Sequence, residues 1–113
     1  MALDLFAGIP VSDFAEALTW YERLLGSPPM FYPNDTEAVW ELAEHQYAYI
    51  ELRPERAGHA MLTALVDDLD ARVARIAERG LAPTTRETYP EGMRKFTYRD
   101  PDGNEFGFGG AEH

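Results

Sequence analysis

The sequence predicts an α+β fold made of two βαβββ modules in a single domain. Three observations support this prediction. The chain has the length of one domain, strand-like and helix-like segments follow in the same order twice, and apolar residues of the two halves match at a spacing of 55 positions. Its 113 residues are 45% apolar and 27% charged, which is typical of a globular protein. We expect one domain over residues 1–113, with modules at about 1–55 and 56–113.

The first half opens with a predicted strand over Leu5–Val11 and a helix over Asp13–Leu25. Asp13 and Glu16 have the spacing of a capping box, in which each side chain satisfies a backbone N–H at the start of a helix. Gly26 follows the last apolar residue of the helix and is a good end signal. Three strand-like runs come next, at 30–32, 38–42 and 47–52.

The second half repeats this order. A predicted strand over Met61–Val66 leads to a helix that has Asp68 as its N-cap and Gly80 as its end. Three more strand-like runs follow, at 84–89, 94–99 and 105–108. The apolar matches at a spacing of 55 are Val11 with Val66, Phe14 with Leu69, Leu18 with Val73, and Tyr21 with Ile76. Such matches indicate an internal duplication.

Composition excludes several classes of function. The chain has no cysteine, so disulfide scaffolds, cysteine-ligated metals and thiol nucleophiles are excluded. Its net charge of -10 repels phosphate backbones and anionic lipids, so we expect neither nucleic acid nor membrane as a partner. The segment Met1–Asp4 lacks the basic region of a signal peptide, and we expect a cytoplasmic protein.

Three segments carry a resemblance to a known family. They are Val11-Ser12-Asp13-Phe14, the helical run Trp20–Gly26, and Arg99–Phe106 with its Asp-Pro-Asp-Gly-Asn turn. Together with the duplicated order, they resemble the vicinal oxygen chelate superfamily, which includes glyoxalase I, extradiol dioxygenases and bleomycin-binding resistance proteins. The resemblance covers nearly the whole chain. It implies a curved, open mixed sheet with helices outside and a site in the concavity, which a second subunit completes in many relatives.

The resemblance also implies where a metal would bind. Metal-dependent members hold a divalent ion with His and Glu side chains from four strands. The corresponding positions of this chain are Phe6, Glu51, Met61 and Gly107. Phenylalanine, methionine and glycine are not ligands for such an ion, so we expect neither a metal nor another cofactor. A displaced site made of Glu51, His59 and Glu105 is the alternative.

Strand alternation predicts which side chains line the concave face. The candidate ligand-binding residues are Phe6, Trp40, Tyr49, Glu51, His59, Met61, Phe96, Tyr98 and Glu105. The residues of opposite phase, expected to pack under the helices, are Ile50, Leu52, Leu62, Ala64, Phe106 and Phe108. An aromatic lining with carboxylates suits a flat organic ligand, including a cationic one. Aromatic side chains on strands also commonly fill a core or a subunit interface.

Two hypotheses of function follow, and we favour the first. The chain is a metal-free protein that binds a small organic molecule, similar to the bleomycin-resistance type, with no catalytic residue. Alternatively, it is a lyase or isomerase of the same superfamily that uses Glu51 as a base, with or without a metal at the displaced site. A dimeric domain without a ligand is a third alternative. A homodimer is expected in each case, and the connection Arg53–Gly58 is long enough for the halves to swap between chains.

Overall fold

The computed structural model describes residues 3–111, so Met1 and Ala2 of the N-terminal segment lie outside it, as do residues 112 and 113. The first half contains β1 (Leu5–Val11), α1 (Phe14–Leu25), β2 (Phe31–Asn34), β3 (Glu37–Ala43) and β4 (Gln46–Leu52). The second half contains β5 (Met61–Leu65), α2 (Leu69–Glu78), β6 (Thr85–Thr88), β7 (Met93–Arg99) and β8 (Glu105–Ala111). The predicted element order is therefore confirmed in both halves. A short 3-10 turn, Pro54–Arg56, lies in the connection between them.

Each half forms its own four-stranded mixed sheet. The strand orders are β1-β4-β3-β2 and β5-β8-β7-β6. The pairs β1–β4 and β5–β8 are parallel, and the remaining neighbours are antiparallel. A parallel pair needs a long crossover connection, and the helix of each half lies in that crossover. The predicted α+β class is confirmed, and its eight strands divide equally between two sheets.

Local signals set the limits of helix α1. The carboxylate of Asp13 accepts a hydrogen bond of 3.0 Å from the backbone N–H of Glu16, which satisfies one of the unpaired donors at the start of a helix. Gly26 has a φ of 81° and donates its N–H to the carbonyl of Glu22 at 2.8 Å. Glycine reaches this left-handed conformation without steric cost, so the helix ends where the sequence predicts.

Helix α2 begins differently from the prediction. Asp68 occupies the N-cap position, but its side chain makes no capping hydrogen bond. Its carboxylate instead binds Arg72 at 3.2 Å and Arg75 at 2.9 Å. The hydrogen bonds from Arg75 and Arg72 lower the pKa of Asp68 below its usual value. The side chain that was expected to cap helix α2 therefore forms two ion pairs with arginines of the helix's first two turns.

One hydrophobic core joins the two halves. Its buried members come from both sheets and both helices, and they include Ile9, Val11, Tyr21, Leu24, Trp40, Ile50, Leu69, Ile76, Tyr98, Phe106 and Phe108. Both sheets thus turn their helix-covered faces toward a common interior, and their other faces lie on the outside of the chain. No helix within residues 3–111 is long and apolar enough to span a membrane.

A buried asparagine fastens the halves at one end of this core. Asn104 is completely buried, and its side-chain oxygen accepts hydrogen bonds from the backbone N–H groups of Gly58 at 3.1 Å and Ala60 at 2.9 Å. Its side-chain nitrogen donates to the carbonyl of Pro10 in β1 at 2.8 Å. Because every buried polar atom of this amide has a partner, the contact holds the two halves in one arrangement.

Candidate functional site

The outward face of the first sheet, termed the first open face, carries Phe6, Tyr47, Tyr49 and Glu51. The β1–β4 register places Phe6 beside Tyr47, and their rings stack with centroids 4.5 Å apart. Burial and the carboxylates of Asp4, Glu41 and Glu44 raise the pKa of Tyr47. The open face therefore offers an aromatic surface, as the sequence predicts for Phe6 and Tyr49.

The side chain of Tyr49, on β4, lies over the neighbouring strand β1 at Gly8. A Cβ atom built on Gly8 would lie only 2.7 Å from the Tyr49 hydroxyl and 2.8 Å from the neighbouring ring carbon. Nonbonded atoms do not approach so closely, so the missing side chain of Gly8 is what lets the phenol rest on the strand. The position of the Tyr49 ring thus depends on a residue 41 positions earlier, with which it pairs in the parallel register.

A pocket of about 220 Å³, termed the arginine pocket, lies next to this ring. Its lining residues are Gly8, Ile9, Pro10, Tyr49, Glu51, Arg53 and Arg56. Glu51 is the penultimate residue of β4, with 21% of its side chain exposed, and its carboxylate accepts a hydrogen bond from Arg53. An arginine of the connection that follows β4 thus neutralises this carboxylate. Sequence reasoning missed Arg53 and Arg56 as site residues, although both lie in the polar connection just after Glu51.

The carboxylate of Glu51 has an acidic neighbour, Glu37, on the same face. Glu37 of β3 is its direct partner across the sheet, and opposed like charges destabilise a strand pair. Each carboxylate has its own donor: Arg53 for Glu51, and the side-chain amide of Asn34 for Glu37 at 2.7 Å. Separate partners therefore offset the repulsion between the two acids.

The outward face of the second sheet, termed the second open face, carries Met61, Thr63, Leu65, Glu105 and Gly107. Met61 and Leu65 expose 77% and 75% of their surface. Glu105 pairs with Met61 in the register and forms an ion pair of 3.0 Å with Arg99. This face therefore exposes apolar side chains along its edge strand β5 and carries an ion pair beside the β7–β8 turn.

Two basic side chains, those of His59 and Lys95, also lie at the second open face. His59 is exposed and lines a shallow pocket of about 210 Å³ together with Met61 and Glu105. Lys95 crosses Gly107, where a built Cβ would lie 2.8 Å from the Lys95 side chain. A long side chain thus covers a strand glycine on this face, as Tyr49 does on the first.

Three of the predicted face residues are on the wrong side. Phe96 and Tyr98 pair with Phe108 and Phe106 across the β7–β8 ladder, so they share the helix-covered face. The backbone hydrogen bond from Asp100 N–H to the Asn104 carbonyl closes the β7–β8 hairpin. In this register, even-numbered residues of β7 pair with even-numbered residues of β8 and lie on the same face. The sequence analysis instead placed the even-numbered residues of β7 on the concave face and those of β8 under the helices.

Trp40 is the third misplaced residue. It pairs with Ala48 and is 2% exposed in the core. Its indole N–H donates to the carbonyl of Ser27 at 2.9 Å, which satisfies the only polar group of the side chain. The structure thus brings together Phe6, Tyr49 and Glu51 on the first sheet, and it places His59 beside Met61 and Glu105 at the start of β5.

The register also corrects one of the four metal-ligand positions. Gly8 pairs with Tyr49 and Thr63 pairs with Gly107, and Gly8 and Thr63 are equivalent in the repeat. Tyr49, not Glu51, is therefore the counterpart of Gly107.

The residues at the chelating positions do not fit a divalent ion. Phe6, Tyr49, Met61 and Gly107 supply no imidazole and no carboxylate. Within residues 3–111, no three His, Cys, Asp or Glu side chains cluster as a metal site, so Glu51, His59 and Glu105 do not form the displaced site in one chain.

The paired βαβββ halves and their open faces define the class of the protein. Residues 3–108 match the model of the Glyoxalase/Bleomycin resistance protein/Dioxygenase superfamily, and the chain belongs to that superfamily. The resemblance inferred from the sequence is thus confirmed. No curated protein sequence matches the chain.

Solved structures agree with the family. A crystal structure of a glyoxalase / bleomycin resistance protein from Catenulispora Acidiphila DSM 44928 is 54% identical, with a TM-score of 0.95 over 98% of this chain and 100% of its own. TnmS3, an antibiotic binding protein from Streptomyces sp. CB03234, is 26% identical, with a TM-score of 0.74 over 99% and 98%. A bleomycin-binding protein complexed with bleomycin is 19% identical, with a TM-score of 0.75 over 96% and 98%, and shares the fold.

Proposed function

We propose that this chain binds a small organic molecule at the first open face and acts by sequestering it, without turnover and without a divalent metal. The observation that carries the proposal is the pairing of an aromatic surface, Phe6 on Tyr47 and Tyr49 over Gly8, with a pocket at its edge. Concave apolar surfaces with a few polar groups are typical of ligand sites.

The chemistry of the chelating positions supports binding over metal catalysis. Phe6, Tyr49, Met61 and Gly107 stand where metal-dependent relatives have imidazole and carboxylate ligands. A phenyl ring or a thioether offers an organic ligand dispersion contacts, but it supplies no imidazole or carboxylate to coordinate a divalent metal. The resemblance to TnmS3, an antibiotic binding protein, supports an antibiotic as the bound molecule.

We also propose that the working unit is a homodimer. Phe6, Met61 and Leu65 expose 47%, 77% and 75% of their surface on the two open faces. Apolar side chains exposed on outward sheet faces are typical of surfaces that bind a partner or a ligand. A second copy that brings its second open face to the first would enclose the site from both sides. Domain swapping through Arg53–Gly58 would be one route to such a dimer.

Calorimetric titration tests the binding proposal. The panel begins with bleomycin and other cationic aromatic antibiotics, because the net charge of -10 attracts cations at long range. We expect saturable binding of at least one compound, loss of binding in Tyr49→Ala, and wild-type binding in Tyr32→Ala, which changes an exposed tyrosine on edge strand β2. Equal binding by both variants would remove Tyr49 from the site.

Two further measurements address the metal and the dimer. Elemental analysis of protein purified without chelator is expected to give far less than one divalent metal per chain. One metal per chain would refute the metal-free proposal. Sedimentation at micromolar concentration is expected to give a dimer, and a monomer would refute the homodimer.

The second candidate function is a lyase or isomerase with Glu51 as the base. The observation in its favour is a partly buried carboxylate near the end of β4 on a pocket wall. Against it, Arg53 already occupies one of the two carboxylate oxygens. Hemithioacetals of methylglyoxal serve as probe substrates. Turnover that Glu51→Gln abolishes would establish the enzyme, and an absence of turnover, or turnover unchanged in that variant, would refute it.

A further inference from the structure

The arginine pocket, at one end of the first open face, is lined by more basic than acidic side chains, although the chain as a whole is strongly acidic. The arginine pocket contains the guanidinium groups of Arg53 and Arg56 and the single carboxylate of Glu51. Arg53 is ion-paired with Glu51. Among the residues the structure describes, Arg56 makes no side-chain hydrogen bond and no ion pair with any other residue. Glu55 lies in the same turn but does not line the pocket. The lining itself therefore holds two guanidinium groups and one carboxylate, and the neighbouring Glu37, which pairs with Glu51 across the sheet, is bound by the Asn34 amide.

The backbone that carries the two arginines is fixed. The N–H of Arg53 donates to the carbonyl of Val11 at 2.9 Å, which ties the connection to the end of β1. The N–H of Arg56 donates to the carbonyl of Arg53 at 3.0 Å, within the 3-10 turn that Pro54 begins. A fixed backbone lowers the entropy lost when the side chains bind a ligand, because fewer torsions remain to be ordered.

We propose that the arginine pocket binds one carboxylate group of an aromatic ligand, and this inference rests on the proposed binding function. The guanidinium of Arg56 presents paired N–H donors that match the two oxygens of a carboxylate. Tyr49 lines the same pocket and offers a ring against which the aromatic part of the ligand packs. Glu51 limits the net charge of the lining to about one, which fits a monoanion better than a dianionic phosphate.

Four small probes that share a phenyl ring separate the possible charges. They are benzoate, benzamide, benzamidine and phenyl phosphate, and each is titrated at constant ionic strength into ¹⁵N-labelled protein. We expect saturable shifts at the arginine pocket with benzoate, and binding of benzamide and benzamidine that is weaker by about fivefold or more, since the ion pair is lost. Tighter binding of benzamidine would overturn the inference. Tighter binding of phenyl phosphate would overturn its carboxylate part.

Two variants with a matched control locate the anion. Arg56→Ala is expected to weaken benzoate by about tenfold, because it removes a charge-assisted hydrogen bond. Arg23→Ala is the control, since Arg23 is another exposed arginine and lies on α1 outside the pocket. Unchanged affinity in Arg56→Ala, or equal loss in Arg23→Ala, would overturn the proposal. The circular dichroism spectrum of each variant verifies its fold.

Glu51→Gln provides a test of opposite sign. Removing the carboxylate releases Arg53 and raises the positive charge of the pocket, so benzoate is expected to bind several times more tightly. A pocket for cations would instead lose affinity for benzamidine in the same variant. Weaker benzoate binding in Glu51→Gln would contradict the anionic assignment.

The failure of this inference is distinguishable from failure of the proposed function. Saturable binding of an antibiotic that depends on Tyr49, with no benzoate binding at tens of millimolar, overturns only the carboxylate site. Benzoate binding that depends on Arg56 supports the site even if none of the antibiotics binds.

Discussion

The hydroxyl of Tyr21 donates a 2.8 Å hydrogen bond to the carboxylate of Asp100, and both residues are buried. Tyr21 lies on helix α1 of the first half, and Asp100 begins the turn between β7 and β8 of the second half. Asp100 also accepts hydrogen bonds from the backbone N–H groups of Asp102 and Asn104 and from the Asn104 side chain, each at 2.9 Å. The carboxylate therefore orders its own turn and binds that turn to the other half of the chain.

Tyr21→Phe is expected to destabilise the fold by about 1.5–3 kcal/mol, because it removes a buried donor from a charged acceptor. The ring remains, so its packing against Trp40 is retained. Urea denaturation measures the change in the free energy of unfolding. A loss below half a kilocalorie would show that the three remaining donors satisfy Asp100 without Tyr21.

The same substitution at Tyr98 is the matched control. Tyr98 is 1% exposed, and within residues 3–111 its hydroxyl has no hydrogen-bond partner. A buried hydroxyl without a partner costs free energy, so Tyr98→Phe is expected to leave stability unchanged or to raise it by about 1 kcal/mol. Strong destabilisation of this variant in urea would reveal a partner for the hydroxyl.

Alkaline pH should unfold the protein through Tyr21. Burial, followed by the charge of Asp100, raises the pKa of Tyr21 far above its usual value of 10.0. The folded state then holds the phenol proton more tightly than the unfolded chain, so this stability is complete below pH 10 and declines as pH rises above it. Unfolding free energies from pH 8 to 11 should fall less steeply in Tyr21→Phe. Parallel curves for the two proteins would contradict this assignment.

Acid should weaken the start of helix α2. The hydrogen bond from Arg75 lowers the pKa of Asp68 below its usual 3.8, so the ionised form is favoured by folding. That contribution is complete above the unfolded pKa and is lost as pH falls through the folded pKa. Asp68→Asn is expected to remove it, so the variant and the wild type should converge in melting temperature as the pH falls below the usual Asp value of 3.8. A constant difference from pH 7 to pH 2 would exclude Asp68 as the cause.

Gly8→Ala should displace the Tyr49 ring. The new methyl group would lie 2.7 Å from the Tyr49 hydroxyl, so the ring must move, at a cost of about 1–3 kcal/mol for overpacking. Any ligand that needs Tyr49 is expected to bind more weakly, as measured by titration. Gly107→Ala is the control, because the obstructing atom there belongs to the flexible Lys95 side chain. Similar loss of binding in both variants would argue against a specific role for Tyr49.

Local sequence signals were enough for most of the fold. Asp13, Glu16 and Gly26 set the limits of helix α1 through contacts within a few residues, so no knowledge of the other half was needed. The duplication also gave the equivalence of Phe6 and Met61. It gave Glu51 as the counterpart of Gly107, which was wrong. The sequence separation between paired residues is three residues longer in the second half, where Met61 pairs with Glu105, than in the first, where Leu5 pairs with Gln46.

By itself, the sequence determined the βαβββ order and the family. It also showed that the chelating positions lack imidazole and carboxylate groups, because these features depend on local patterns and residue types. Only the tertiary structure decided which face Trp40, Phe96 and Tyr98 occupy. Alternation sorts the residues of one strand, but the pairing between strands sets which face meets the helices. It also decided that Arg53 and Arg56 fold back beside Glu51 and Tyr49, since that contact depends on a turn tied to β1.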